Sequence, residues 1–366
     1  MKPNVTIDIT VTGSCNKRCS YCFEHGHTGR NNPETRTREL HLVDEYCRTF
    51  DSGKFNNVML SFWGGEPLLD IDFMLEIIGV LGKYDFVKYI IYSNGTLVDN
   101  WRKFISDSRV QAVKDRFQIQ LSYDGEPHNM LMRGYDGKDI FSTAELLRLN
   151  GFDFNFKATL SLKCLALLPD IWDSYYRLYL EYPENVRYCP TLDVTSGNDS
   201  ENLELWRSVI RDQILRREFA FLKKYRKPLW TWFEMFNKGS CSVDYRAHLH
   251  DDGKIYVCHG CPYSDFSENM VLGDVFEIED LSSLIKANNA GGRSRICEEC
   301  DATYCAVCHA LNVDKPADSS EMFKQWNSCK PRFENKCKYY RIFGHESRVL
   351  NTAYSQWLAE EKTKRI

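Results

Sequence analysis

Residues 5–22 read VTIDITVTGSCNKRCSYC, and the rest of the chain is best understood outward from them. Val5 to Thr12 alternate apolar and polar side chains, most of them β-branched, which is the two-residue period of a strand. The strand runs directly into Cys15, Cys19 and Cys22, spaced C-x3-C-x2-C. Three thiolates on one short loop can hold three irons of a 4Fe–4S cluster and leave the fourth iron open. An open iron is a binding position for a small molecule carrying an amine and a carboxylate. Zinc is the competitor, but structural zinc takes four protein ligands and only three are local.

Outward from this loop, strand and helix patterns alternate. Further strands are expected at Val58–Trp63, Val87–Tyr92, Phe117–Tyr123, Phe152–Leu162 and Val186–Val194. Helices are expected at Thr37–Phe50, Ile71–Leu81, Trp101–Ser106, Phe141–Leu149, Ile171–Leu180 and Leu203–Tyr225. Such alternation with short turns implies parallel strands with helices outside. Six units predict an α/β chain folded as a partial (β/α)6 TIM-like barrel. Sites in such folds sit at the C-terminal ends of the strands, so Cys15–Cys22, Gly64–Pro67, Ser93–Gly95 and Ser122–Asp124 should face one cavity.

After Tyr225 the regular patterns shorten, and most of the fifteen cysteines lie between Cys241 and Cys337. The expected division is a barrel over 1–225, a small Cys-rich unit held together by metal over 226–346, and a terminal helix over 347–366. The 366 residues carry a net charge of −4, with no strong positive field that would call for nucleic acid. No apolar run is long enough to span a membrane. The N-terminus lacks the apolar core of an export signal, so a cytoplasmic protein is expected. In a reducing compartment clustered cysteines read as metal ligands rather than disulfides, and their odd number points the same way. Cys47, Cys164 and Cys189 fall on helix or strand patterns and read as small core residues.

Taken together, the C-x3-C-x2-C loop with Phe23 after it, Gly64-Gly65-Glu66-Pro67 after the second strand, Ser93-Asn94-Gly95 after the third and Ser122-Tyr-Asp124-Gly125 after the fourth resemble the radical SAM superfamily. The resemblance implies that Cys15, Cys19 and Cys22 hold a 4Fe–4S cluster. It implies that Gly64, Gly65, Glu66 and Pro67 hold the amino group of S-adenosyl-L-methionine (SAM). Phe23, Ser93, Asn94, Ser122 and Arg133 are the other expected cofactor contacts. The implied chemistry is reductive cleavage of SAM to methionine and a 5′-deoxyadenosyl radical, which abstracts hydrogen from carbon.

The later cysteines resemble the SPASM extension of radical SAM enzymes that modify peptides and proteins. Cys241, Gly253 and Cys258 read C-x11-G-x4-C, and Cys297, Cys300, Cys305 and Cys308 read C-x2-C-x4-C-x2-C, with Cys329 and Cys337 beyond. The two inner spacings of the four-cysteine run are each one residue shorter than the family pattern. The resemblance implies two auxiliary 4Fe–4S clusters, three clusters in all. Cys241, Cys258 and Cys308 would serve the first, and Cys297, Cys300, Cys305 and either Cys329 or Cys337 the second. The first then needs another ligand, for which Cys261 is available, or keeps an open iron. Standing alone, the paired C-x2-C motifs also suit a zinc ribbon.

Candidate acid–base groups are His259, Glu24 and Asp124, with His25, His27, Asp193 and His309 behind them. His259 directly follows Cys258, and histidine is a residue type that serves as a general base. Sulfatase-maturing relatives carry aspartate at that place, and commonly tyrosine where Glu24 stands. The resemblance therefore implies an enzyme that oxidatively modifies a ribosomally made peptide or a protein side chain, by a thioether, carbon–carbon or ether crosslink. Its rivals are formylglycine formation in a sulfatase, a small-molecule radical SAM dehydrogenase or epimerase, and a non-enzymatic zinc-ribbon scaffold. Fourteen residues precede Cys15, so no leader-recognition domain is expected within the chain. Expected partners are a precursor peptide or protein, a separate leader-recognition protein and a flavodoxin- or ferredoxin-type electron donor, with no nucleic acid and no membrane.

Overall fold

The computed structural model describes residues 2–24, 32–186, 191–192, 203–230, 245–263, 267–287 and 334–364. The chain runs β1 (Val5–Thr12), α1 (Pro33–Arg48), β2 (Val58–Gly64), α2 (Ile71–Leu81), β3 (Val87–Ser93), α3 (Val98–Ser106), α4 (Ser108–Ala112) and β4 (Phe117–Ser122). It continues through α5 (His128–Arg133), α6 (Lys138–Leu149), β5 (Phe154–Lys157), β6 (Thr159–Leu160), α7 (Leu168–Glu181) and β7 (Thr191–Leu192). Then come α8 (Leu203–Ser208), a π-helical turn (Val209–Ile214), α9 (Leu215–Tyr225), β8 (Arg246–Leu249), β9 (Lys254–Tyr256), β10 (Val271–Asp274), α10 (Leu281–Ala287) and a C-terminal helix (Glu334–Lys364).

Strands β1 to β5 pair in parallel in sequence order, with Val5 opposite Val58, Val58 opposite Val87, Tyr89 opposite Phe117 and Ile119 opposite Phe154. The strand alternation sorts side chains by face. Ile7, Ile9, Val11, Leu60, Phe62, Tyr89, Ile91, Ile119 and Leu121 are buried in one apolar core with residues of the flanking helices. Each such burial contributes about 1.5–3 kcal/mol. The other face of the same strands carries Asp8, Thr10, Ser61, Trp63 and Tyr92. A parallel sheet with helices packed on one face and polar side chains on the other is the expected partial barrel.

Two features depart from the sequence expectations. The fifth strand is not continuous over Phe152–Leu162. It breaks at Ala158, because the Thr159 N–H donates to the Asp124 carboxylate at 2.8 Å rather than to a neighbouring strand. Beyond the break β6 leaves the main sheet and pairs with β7. Within the expected sixth strand, Val186–Val194, only Thr191–Leu192 is strand among the described residues.

The other departure is β8. It comes from the Cys-rich part of the chain, yet it pairs in parallel with the free side of β1, Thr6 opposite Arg246 and Ile9 opposite Leu249. Strands β9 and β10 then extend the sheet antiparallel. The second unit thus grows out of the barrel sheet. Arg38 of α1 secures the join by donating to the Val275 and Ile278 carbonyls at 2.8 and 2.5 Å.

Helix boundaries moved for local reasons. Asn32 caps α1 by accepting the Glu34 N–H, and Pro33 opens the first turn, so the helix starts four residues before Thr37. The long helix expected at Leu203–Tyr225 carries the π-helical turn in its middle. The terminal helix begins at Glu334 rather than Ser347 and packs on α8 and α9, with Arg226 over the Trp357 ring at 4.5 Å. Cys47 is buried as expected, Cys164 is partly buried, and Cys189 lies outside the described residues. No described helix is long and apolar enough to cross a membrane.

Candidate cofactor and substrate site

The C-terminal ends of β1, β2, β3 and β4 converge on the loop of three thiols. Gly64 has φ +115°, and a Cβ built on it would lie 2.2 Å from the Thr12 carbonyl oxygen. A Cβ on Gly65 would lie 2.3 Å from the Ser14 carbonyl oxygen. Only glycine fits either place. The close approach lets Gly65 N–H donate to Thr12 and Glu66 N–H donate to Ser14, both at 2.9 Å, which pins the chain just before Cys15. Glu66 is buried and accepts from Ser93 Oγ at 2.9 Å, Leu68 N–H at 3.2 Å and Asn94 N–H at 2.7 Å. Burial pushes its carboxyl up to about 7 against the pull of those donors. Pro67 opens the short turn that follows. Glu66 thereby ties the end of β2 to the end of β3.

The loop itself suits an iron–sulfur centre. Lys17 N–H lies 3.4 Å from Cys15 Sγ, Asn94 Nδ2 3.9 Å from the same sulfur, and Arg133 Nη1 4.0 Å from Cys19 Sγ. Such donors stabilise sulfur that carries negative charge. Burial, reinforced by Glu24, pushes the Cys22 thiol up to about 12, so a bare thiol here keeps its proton until a metal displaces it.

Asp124 is wholly buried and saturated. It accepts from Tyr21 Oη at 2.5 Å, Arg133 Nε at 2.8 Å and Nη2 at 3.1 Å, and Thr159 N–H at 2.8 Å. Burial alone would raise its pKa, but Arg133 and His128 hold it down at about 2. Asp124, a candidate acid–base group from sequence, here seats Tyr21, and with it the cysteine loop, against α5 and β6. Arg133 is correspondingly committed to Asp124 and stacks over the Tyr21 ring. Ser122 ends β4 half-exposed, opposite Lys157.

Glu24 and His259 come from distant parts of the sequence and meet across Trp63. Glu24 accepts the Trp63 indole N–H at 2.7 Å, and the Trp63 and His259 rings lie 3.9 Å apart. Burial pushes the Glu24 carboxyl up to about 7, opposed by the Trp63 N–H and His259. His259 Nδ1 lies 3.6 Å from Asp8 Oδ2, and Arg246 Nε lies 3.4 Å from the same oxygen. Asp8 is buried, but Arg246 and His259 hold it well below the usual carboxylate range. Its neighbour His248, across β8, faces Thr10 Oγ1 at 3.1 Å and is kept neutral by burial. His259 remains 28% exposed, against 19% for Arg246 and 1% for Asp8.

Asp8, Tyr21 and Trp63 were not singled out from sequence. Asp8 was findable, as a charge inside an alternating strand. Phe23 meets Tyr263 with ring centroids 5.3 Å apart, joining the first cysteine loop to the turn after Cys258. Cys241, Cys297, Cys300, Cys305, Cys308 and Cys329 lie outside the described residues, as do His25, His27, Asp193 and His309. Cys337 falls on the C-terminal helix, its side chain outside the described set.

Residues 9–161, from β1 through β6, match the family model of the radical SAM superfamily. This part of the chain is a radical SAM domain. The cysteine-type anaerobic sulfatase-maturating enzyme of Clostridium perfringens is 30% identical over 169 residues, 42% of this chain and 44% of that enzyme. The chain therefore matches less than half the length of this relative. Among solved structures, native anSMEcpe with bound AdoMet and Cp18Cys peptide superposes with a TM-score of 0.63 at 18% identity, over 96% of this chain and 100% of that one. Streptococcus suis SuiB bound to precursor peptide SuiA superposes with a TM-score of 0.54 at 12% identity, over 81% of this chain and 68% of that one. At these identities the two structures speak to the fold alone.

Proposed function

We propose that the chain is a radical SAM enzyme that oxidatively modifies a side chain, or Cα or Cβ, of a peptide or protein. The observation that carries this reading is the meeting of Glu24, Trp63, His259 and Asp8 at the end of the barrel that bears Cys15, Cys19 and Cys22. The peptide class is supported by the similarity in fold to two proteins whose structures hold peptides.

A four-iron cluster on these thiols, with SAM bound, supplies reductive cleavage of SAM and hydrogen abstraction from carbon. The residues around it do the rest. Gly64 and Gly65 hold the loop in contact with the end of β2, and Glu66, Ser93 and Asn94 form the wall where the family pattern places the SAM amino group. Asp124 and Arg133 keep Tyr21 and Cys19 in place. His259, oriented by Asp8 and backed by Trp63, takes the proton released when the substrate is oxidised. An auxiliary metal centre held at Cys258 would supply an electron acceptor, and a small flavin or iron–sulfur protein would be the electron donor. A crosslink to a neighbouring side chain is the product this reading favours. Formylglycine formation is the second reading, favoured by the 30% identity to the sulfatase-maturating enzyme.

Anaerobic reconstitution tests it. About twelve irons per chain are expected, falling to about eight in the Cys15/Cys19/Cys22→Ala variant together with loss of 5′-deoxyadenosine formation. His259→Ala should still cleave SAM but lose oxidised peptide by about 10²-fold or more. About four irons with stoichiometric zinc would sink the oxidative reading and leave a redox-neutral reaction.

A further inference from the structure

Arg133 places a permanent positive charge, buried from solvent, behind the first cysteine loop. It closes α5, where Gly134 takes the left-handed conformation at φ 76° and ends the helix. The helix end is docked on the loop, because Ser20 N–H, next to Cys19, donates to the Met132 carbonyl at 2.8 Å. The guanidinium then presents two sides. Nε and Nη2 face the Asp124 carboxylate at 2.8 and 3.1 Å, and Nη1 lies 4.0 Å from Cys19 Sγ. The Tyr21 ring flanks the group at 5.3 Å.

A guanidinium is planar, so two of its nitrogens fixed on one carboxylate fix the direction of the third. Asp124 is itself held by Tyr21 Oη and the Thr159 N–H, with His128 Nδ1 3.7 Å away. The ion pair is neutral as a whole, but it is oriented. Its positive member stands between the carboxylate and the sulfur. A buried charge at this distance acts strongly on any change of charge at the sulfur. A four-iron cluster gains one negative charge on reduction, and its potential follows local charge and the contacts to its sulfurs.

We propose that Arg133, aimed by Asp124, raises the reduction potential of the cluster held by Cys15, Cys19 and Cys22. Asp124 is the positioning residue, and its own charge limits the effect. This deepens the radical SAM reading and rests on the first cluster alone, not on the oxidative reaction or on any auxiliary centre. It gives Arg133 a role that does not depend on contact with SAM.

The test is a redox titration of the reconstituted whole chain without SAM, followed by EPR. The signal of the first cluster is the one absent from the Cys15/Cys19/Cys22→Ala variant. Arg133→Gln should lower its midpoint potential and Asp124→Asn should raise it. Each should change the oxidised-to-reduced ratio at a fixed potential by about tenfold, or about 59 mV for one electron. The double variant should fall between the two. Tyr21→Phe removes a contact to Asp124 but no formal charge, and should keep the parent potential. A purely structural role would move all of these variants the same way through a loosened loop, and that result would overturn the proposal. An unchanged potential in Arg133→Gln with weakened SAM binding would also overturn it, leaving Arg133 as a SAM contact only. If a single variant does not fold, the double variant, which buries no unpaired charge, decides. A potential below that of the parent supports the proposal, and one at or above it overturns it. A parent without the first-cluster signal would overturn the cluster assignment and this proposal together.

Discussion

Asp124 shows how much of a single residue's setting only the fold supplies. In sequence it is a carboxylate after a strand, near a cysteine loop, and reads as a candidate proton acceptor. In the fold, four donors from Tyr21, Arg133 and Thr159 occupy its two oxygens. Asp124→Ala leaves the Arg133 guanidinium buried and uncompensated, which costs about 3–5 kcal/mol at neutral pH. The pH dependence has a definite sign. The carboxyl titrates at about 2 in the fold against 3.8 in a free chain, so its stabilisation is complete above that free value and is lost as pH falls toward 2. The linkage amounts to about 2 kcal/mol. Urea unfolding of wild type and variant from neutral pH down to the acid limit should show the gap between them narrowing by about that much. A constant gap would remove the ion pair from the explanation.

At the scale of elements, the helical layer is held by a buried carboxylate as well as by apolar packing. Glu218 of α9 accepts the Trp172 indole N–H of α7 at 2.6 Å, and the backbone N–H groups of Leu229 and Trp230 at 3.0 and 3.1 Å. Glu218→Ala strands three buried donors, each worth about 1–3 kcal/mol. The expected result is a marked fall in the thermal midpoint, with Cys15–Cys22 still able to bind iron, because α7 and α9 lie outside the strands that end at that loop. Retention of the wild-type midpoint would mean that these donors find water. The strand pattern was legible because the period of two is printed in the sequence, and the apolar face of β1 to β4 follows from it. The break at Ala158 was not legible, since the residue that takes the Thr159 N–H lies 35 positions earlier.

On the scale of the whole molecule, β8 makes one sheet of what composition divides in two. The Cys-rich part contributes the strand next to β1, and Asp8 of β1 meets Arg246 and His259 from that part. Unfolding should therefore be a single transition by calorimetry and by near-ultraviolet circular dichroism, and it should move as a whole to lower temperature when chelator removes any metal held by the Cys-rich part. Two resolved transitions, with only the weaker one sensitive to chelator, would mean that the sheet continuity carries no cooperativity.

The strands, the three-thiol loop and the glycines that must pack against it could be read from the chain alone. Each depends on a short-range property: an alternation, a spacing, or a place where no side chain fits. The meeting of Glu24 with His259, the Asp8 carboxylate behind that histidine, the commitment of Asp124 to Arg133, and the entry of β8 beside β1 could not. They depend on which buried charges end up facing each other once distant strands pair. Only the completed sheet sets that, because the burial that makes those charges seek partners does not exist until the sheet has formed.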